Sequence, residues 1–176
     1  GDRTVREVAA GLLGTLPVLG ILPLSSVMNT TRVLHISRDL EQAAVIVRLR
    51  IITRDVGRAS TASGQAYFLE VAGVGDDAAL FRYSNMLDQG RWDSIGLLFR
   101  FLVRHQARAA RLTVDGQDLL ARTFTITIAI GPFLGPALAT APDAKVDDRR
   151  FDRVIWAGMS RLELLGHLFT LAGGRG

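Results

Sequence analysis

Apolar residues Val5, Val8, Ala9, Leu12 and Leu13 recur at helical spacing near the start of the chain, and Gly14 follows as a stop. Thr4 and Glu7 have the spacing of a capping box, so Thr4 is the expected cap of that helix. The run "PVLGILPL" is continuous and apolar between prolines, the pattern of a strand buried on both faces of a parallel sheet. "SSVMNTTRVLHI" reads as a loop entering a short helix, and "SRDLEQAAVIVR" as a further helix capped by Ser37. Near Arg48 the period changes. "VRLRIITRD" alternates, as does "ARLTVDGQDLLARTFTITIAI", where Asp115-Gly116 is a hairpin signal. "YFLEVAGVG" and "FDRVIWAG" predict two more strands, and helical patterns cover residues 77–87 and 94–109. A closing helix is expected from Ser160, with Glu163 at capping-box spacing, ending at Gly173-Gly174.

Residues 1–47 thus read as the later part of an α/β unit. Residues 48–176 read as antiparallel β-structure with inserted helices. Composition narrows this further. Apolar residues form 48% of the chain and charged residues 22%, which excludes wholesale disorder. The absence of cysteine excludes disulfides, cysteine-based zinc sites and a thiol nucleophile, and points to a reducing cytoplasm. The net charge is +4, and Lys145 is the single lysine among 21 basic residues. An arginine-borne excess suits anionic partners such as phosphates and lipid headgroups. No charge lies between Glu7 and Arg32, but five Gly and Pro residues divide that stretch into short elements rather than a membrane span. The start also lacks the basic and apolar regions of a signal peptide.

His35, His105 and His167 are isolated, without ligand or base partners at a useful spacing. Two loops carry more chemistry. "GDRT" and "PLSSVMN" would both lie at the carboxyl edge of a parallel sheet, where N–H groups and the hydroxyls of Thr4, Ser25 and Ser26 could hold a phosphate; the same residues could equally be helix caps. Asp143, Asp147, Asp148 and Asp152 suit a divalent cation, although Lys145, Arg149, Arg150 and Arg153 could neutralise them in a solvated loop. "SIGLLFRFLVRHQARAAR" places Arg100, Arg104, Arg108 and Arg111 opposite an apolar face, which suits either an anionic membrane or packing on the protein's own sheet.

The order of these motifs resembles the diacylglycerol-kinase catalytic family of bacterial lipid kinases and sphingosine and ceramide kinases. "GDRTVREVAAGLLG" is similar to its Gly-Gly-Asp-Gly-Thr-x-x-Glu-Val turn and helix, and "LGILPLSSVMNTTRVLHI" to its Pro-Leu-Gly-Thr-x-Asn-Asp loop. "FLEVAGVGDDA" is similar to Phe-x-Asn-x-x-Gly-x-Gly-x-Asp-Ala, and "AIGPFLGPALATAPDAKVDDRRFD" to the family's Asn-Gly and Pro-x-Ala-x-x-x-Asp-Gly run. The resemblance implies an α/β + β fold: part of a phosphofructokinase- and NAD-kinase-like nucleotide domain over 1–47, then an incomplete β-sandwich lipid-kinase domain over 48–176. It implies ATP and Mg²⁺ as cofactors and a lipid hydroxyl as acceptor. By position, Gly1, Asp2, Arg3, Thr4 and Arg6 fall in the nucleotide turn, Ser26 takes the threonine position of the second loop, and Asp148 matches a Mg²⁺-binding acid.

The departures are specific. Arg3 replaces a glycine, Ser25 another, and Met28 an asparagine; Asn29 stands at an aspartate position and Glu70 at an asparagine position. Ile130 replaces a further asparagine, and Arg149 the glycine after Asp148. The family's upstream strands and its late Asp-Gly-Glu segment, which carries the general base, have no counterpart here, so no catalytic residue is assigned. Asp115 belongs to the hairpin turn. The expectation is a chain truncated at both ends, with weak transfer activity or none by itself. The alternative is a non-catalytic pseudokinase module that binds anionic membrane or a protein partner. Cytoplasmic placement, at the membrane inner face in the second case, follows from both readings, and a homodimer is compatible with either. Nucleic acid is disfavoured, because no aromatic stacking platform accompanies the arginines.

Overall fold

A computed structural model describes residues 1–25, 28–49, 51–75, 106–135 and 138–157, together with Gly96, Glu163 and Gly166. Among the described residues, three helices precede eight strands, and Gly96, Glu163 and Gly166 are also helical.

Helix α1 spans Asp2–Leu12 with Gly1 at its N-cap, three residues earlier than the capping box predicts. Thr4 therefore lies inside the first turn and does not cap, and Glu7 pairs with Arg6 at 2.7 Å instead of reaching back. The helix ends before Gly14, whose φ of 75° suits glycine, and the Thr15 hydroxyl donates to the Leu12 carbonyl. Helix α2 spans Asn29–Val33 and α3 spans Leu40–Leu49. Asp39 rather than Ser37 caps α3: its Oδ1 accepts the amides of Glu41 and Gln42, while the Ser37 hydroxyl accepts the amide of Asp39 itself.

Two predicted strands are absent. "PVLGILPL" has no regular structure and leaves Val18 63% and Leu24 77% exposed. An apolar run signals burial but cannot form a buried strand without neighbours on both edges, and the described residues supply none. "VRLRIITRD" also fails as a strand: it ends α3 at Leu49 and continues through 51–56 without regular structure. Alternation over nine residues cannot by itself outweigh a helix already propagating from a capped start.

The β-region follows its sequence more closely. Strands β1 (Gly57–Thr61) and β2 (Gly64–Phe68) form an antiparallel pair. Strands β3 (Val71–Gly75), β4 (Arg108–Val114), β5 (Gln117–Ala129) and β8 (Asp152–Ala157) form a sheet centred on β5. The β4–β5 hairpin turns at Asp115-Gly116, where both φ angles are positive, 50° and 79°. The first half of β5 pairs with β4, and its second half with β3 and β8. Between Thr123 and Ile126 the register with β8 shifts, and the Thr123 hydroxyl bridges the irregularity to the carbonyls of Thr125 and Trp156. Residues 123–127 are consequently buried on both faces, with Trp156, Ile130 and Leu134 completing the core. Strands β6 (Phe133–Leu134) and β7 (Leu138–Ala139) form a short pair beyond β5.

Arg108 and Arg111 lie in β4, so the predicted amphipathic helix does not extend over them, and its four arginines do not form one helical face. The helix predicted over 77–87, Arg100, Arg104, His105 and His167 lie outside the described residues. Glu163 and Gly166 are helical, as expected for the closing element. No helix among the described residues is long and apolar enough to cross a membrane.

Candidate functional site

The first turn of α1 meets the start of α2 and the β2–β3 connection. Asp2 is the joint. Its two carboxylate oxygens accept the amides of Asn29 at 2.8 Å and Thr30 at 3.0 Å, satisfying the N-terminal donors of α2 from outside that helix. The Asn29 side-chain amide then donates to the Gly135 carbonyl at 2.9 Å and to Glu70 Oε2 at 3.3 Å. Glu70 is fixed from behind as well, because its carbonyl accepts the amides of Ile130 and Gly131 at 2.7 and 3.1 Å. Asp2, Asn29 and Glu70 thereby tie three segments distant in sequence into one polar unit.

These residues border a cavity of about 430 Å³ whose wall includes Asp2, Arg3 and Arg6 from α1, Phe68 and Glu70, and Gly135. Phe68 is held in place by stacking on Phe151, with ring centroids 6.0 Å apart. Glu70 Oε1 is buried and has no hydrogen-bond partner among the described residues. Burial, reinforced by the neighbouring Asp2 charge, pushes the Glu70 carboxyl up to about 7; Asn29 and Arg54 oppose the shift. Arg54 sits behind Glu70 and donates to the Leu69 carbonyl at 2.6 Å, and burial lowers its guanidinium from the ordinary value. A cavity bordered by two arginines and by a carboxyl that holds its proton can bind an anion and exchange a proton with it.

The sequence-derived nucleotide residues divide between two places. Asp2, Arg3 and Arg6 border this cavity. Gly1 and Thr4 instead line a separate groove of about 340 Å³ with Leu19, Leu22 and Ser25, and that groove is mostly apolar. Ser26 lies outside the described residues. Asp148 is exposed in a turn where its Oδ1 accepts the Arg150 amide at 3.0 Å, and Asp55 accepts the Arg149 amide at 2.6 Å. Arg149 takes a φ of 60°, the left-handed conformation natural to the glycine it replaces. Among the described residues no three His, Asp or Glu side chains converge as a metal site. A Mg²⁺ ion held by Asp148 would therefore take its other ligands from backbone carbonyls and water.

Glu70 and Asn29 were visible in the sequence only as mismatches to a motif, and Arg54 was hidden in a stretch read as a strand. Burial and the convergence of three segments make them a site, and neither has a local sequence signal.

The class of protein follows from comparison with this architecture. Residues 71–175 match the family of the YegS C-terminal NAD kinase beta sandwich-like domain, more than half of the chain, and the chain belongs to that family. Its fold is similar to that of a diacylglycerol kinase from Bacillus anthracis str. Sterne (TM-score 0.68, 22% identity over 96% of this chain and 56% of that one). A structure of a candidate diacylglycerol kinase from the same organism gives a TM-score of 0.70 at 22% identity, covering 97% of this chain and 57% of that one. The chain thus spans a little over half the length of these structures. No curated protein matches it at the sequence level. The α/β plus β-sandwich class expected from the sequence stands, although the strand predicted at residues 17–24 does not form.

Proposed function

We propose that this chain carries the phosphate-binding end and the β-sandwich of an ATP-dependent lipid kinase of the diacylglycerol-kinase type. Residues 1–47 would be the last part of the nucleotide-binding domain, and 48–176 the lipid-kinase C-terminal domain. The observation that carries the reading is the single cavity bordered by Arg3, Arg6 and Glu70 at the helix start of Asp2.

When bound, ATP supplies the phosphoryl group and its leaving group; the lipid supplies the accepting hydroxyl. Arg3 and Arg6 offer guanidinium donors to phosphate oxygens, a role in which arginine makes charge-assisted, geometrically defined bonds. Asp2 does not contact phosphate. It fixes α1 to α2 and so sets the position from which Arg3 and Arg6 project. Phe68 and Leu134 add apolar surface to the cavity lining, which strengthens polar contacts made beside them. Proposed with this is weak or absent transfer by the chain alone, acting in the cytoplasm at the membrane inner face.

The test is thermal unfolding of the full chain with ATP. Saturating nucleotide should raise Tm by roughly 5–10 °C, and the double substitution Arg3→Ala, Arg6→Ala should remove most of that rise. A second reading, a non-catalytic module for anionic membrane or a protein partner, draws on the exposed Leu16, Val18 and Leu24. It is favoured if ATP leaves Tm unchanged while the chain floats with anionic vesicles.

A further inference from the structure

The cavity has an acid where a phosphate site would ordinarily present only donors. Glu70 comes from the β2–β3 connection, and the groups around it can be named by element. Asp2, Arg3 and Arg6 on α1 border the same cavity; Asn29 on α2 holds Oε2; Arg54, in the segment before β1, lies behind and binds the Leu69 carbonyl. Oε2 is occupied by Asn29, while Oε1 is left without a partner among the described residues. An ionised Oε1 would repel a phosphate drawn in by Arg3 and Arg6. A protonated Oε1 would donate to it.

We propose that Glu70 serves the site as a neutral carboxylic acid whose Oε1–H donates to a phosphoryl oxygen, so that each phosphate bound brings one proton with it. This rests on the reading of the cavity as a phosphate site. The step is an association: no covalent bond to phosphorus changes, and a solvent proton ends on Glu70 Oε1, shared with the phosphate oxygen. Geometry favours that oxygen because its twin is already satisfied and cannot take the role. The raised carboxyl, lifted by burial and by Asp2, agrees with it: near pH 7 the free site is poised between its two forms, and an incoming anion favours the protonated one. Glu70 would then select against a bare, fully ionised phosphate at high pH, and the same wall would discourage ligands that offer only donors.

The experiment is calorimetric titration of the full chain with ADP and with a soluble short-chain phosphatidate. It is run at about pH 7.5 and about pH 8.5, in two buffers of different ionisation heat. These values lie above the secondary ionisation of such phosphate groups, at about 6. The expected result is uptake of most of one proton per phosphate ligand and a Kd that weakens roughly five- to tenfold over that pH unit. Glu70→Gln, whose amide can still donate, should bind without proton uptake and with a flat pH profile. The ligand that shows the effect identifies the source of the phosphate, nucleotide or lipid. Binding without proton uptake, with the same pH profile in both proteins, overturns the role of Glu70 and leaves the phosphate site standing. No binding by either protein at either pH overturns the phosphate site and this inference together. Should Glu70→Gln fail to fold, the two-buffer measurement on the unaltered chain decides by itself.

Discussion

Glu70 concentrates the electrostatics of the molecule. Its carboxyl titrates at about 7 in the folded chain against an ordinary 4.5. Between those values the folded state keeps a proton that the unfolded state has released, so stability falls as pH rises through the window, and the loss is complete above it. The group is mostly buried, and the shift corresponds to a loss on the order of 3 kcal/mol. Urea unfolding at about pH 5 and about pH 8 should show this slope in the unaltered chain. Glu70→Gln should flatten it, and should be the more stable protein at the higher pH. The reverse order at the higher pH would mean that the carboxylate is stabilised in the fold. Asp2 acts through its hydrogen bonds: both its oxygens accept backbone amides of α2. Asp2→Ala should cost about 1–2 kcal/mol, read from the urea midpoint, because it leaves two α2 amides without their side-chain acceptor.

Among the elements, the turns with local signals formed where the sequence placed them, whereas the capping signals at Thr4 and Ser37 gave way to Gly1 and Asp39. Asp115-Gly116 dictated the β4–β5 hairpin because a two-residue turn needs positive φ at both positions, and few other pairs supply it. Gly14 ended α1 for the same kind of reason. Elements whose existence depends on distant partners were not legible. Residues 17–24 are apolar enough for a buried strand, yet a strand is defined by its neighbours, and their side chains stand open. The site lies in the same category: Asp2, Asn29 and Glu70 are separated by up to 68 positions and are united only by tertiary packing. Thr123 and Thr125 illustrate the intermediate case. Their alternation announced a strand, but not that the register would shift there and turn both hydroxyls onto backbone carbonyls. Gly75 ends β3 with φ at 99°, and a Cβ there would lie 2.6 Å from the Phe124 carbonyl oxygen of β5. Since backbone cannot yield as a side-chain tip does, Gly75→Ala should cost about 3 kcal/mol or more and lower the urea midpoint accordingly. An unchanged midpoint would show that β3 does not approach β5 this closely.

Over the whole molecule, a β-sandwich of the YegS C-terminal type supports a helical N-terminal part whose first turn borders the cavity. The described core is concentrated in the sheet around β5, with Met28 and Ala43 joining it from the helical part. No residue of α1 is fully buried. The proposed site therefore lies between a well-packed sheet and a more open helix, the arrangement in which a ligand has most to contribute to order. With phosphate entering at Arg3, Arg6 and Glu70, a crystal structure of the chain with ADP should place the terminal phosphate within hydrogen-bond distance of an Arg3 or Arg6 guanidinium and of Glu70 Oε1. Phosphates seated instead in the groove of Gly1, Thr4 and Ser25, with Glu70 untouched, would contradict that placement.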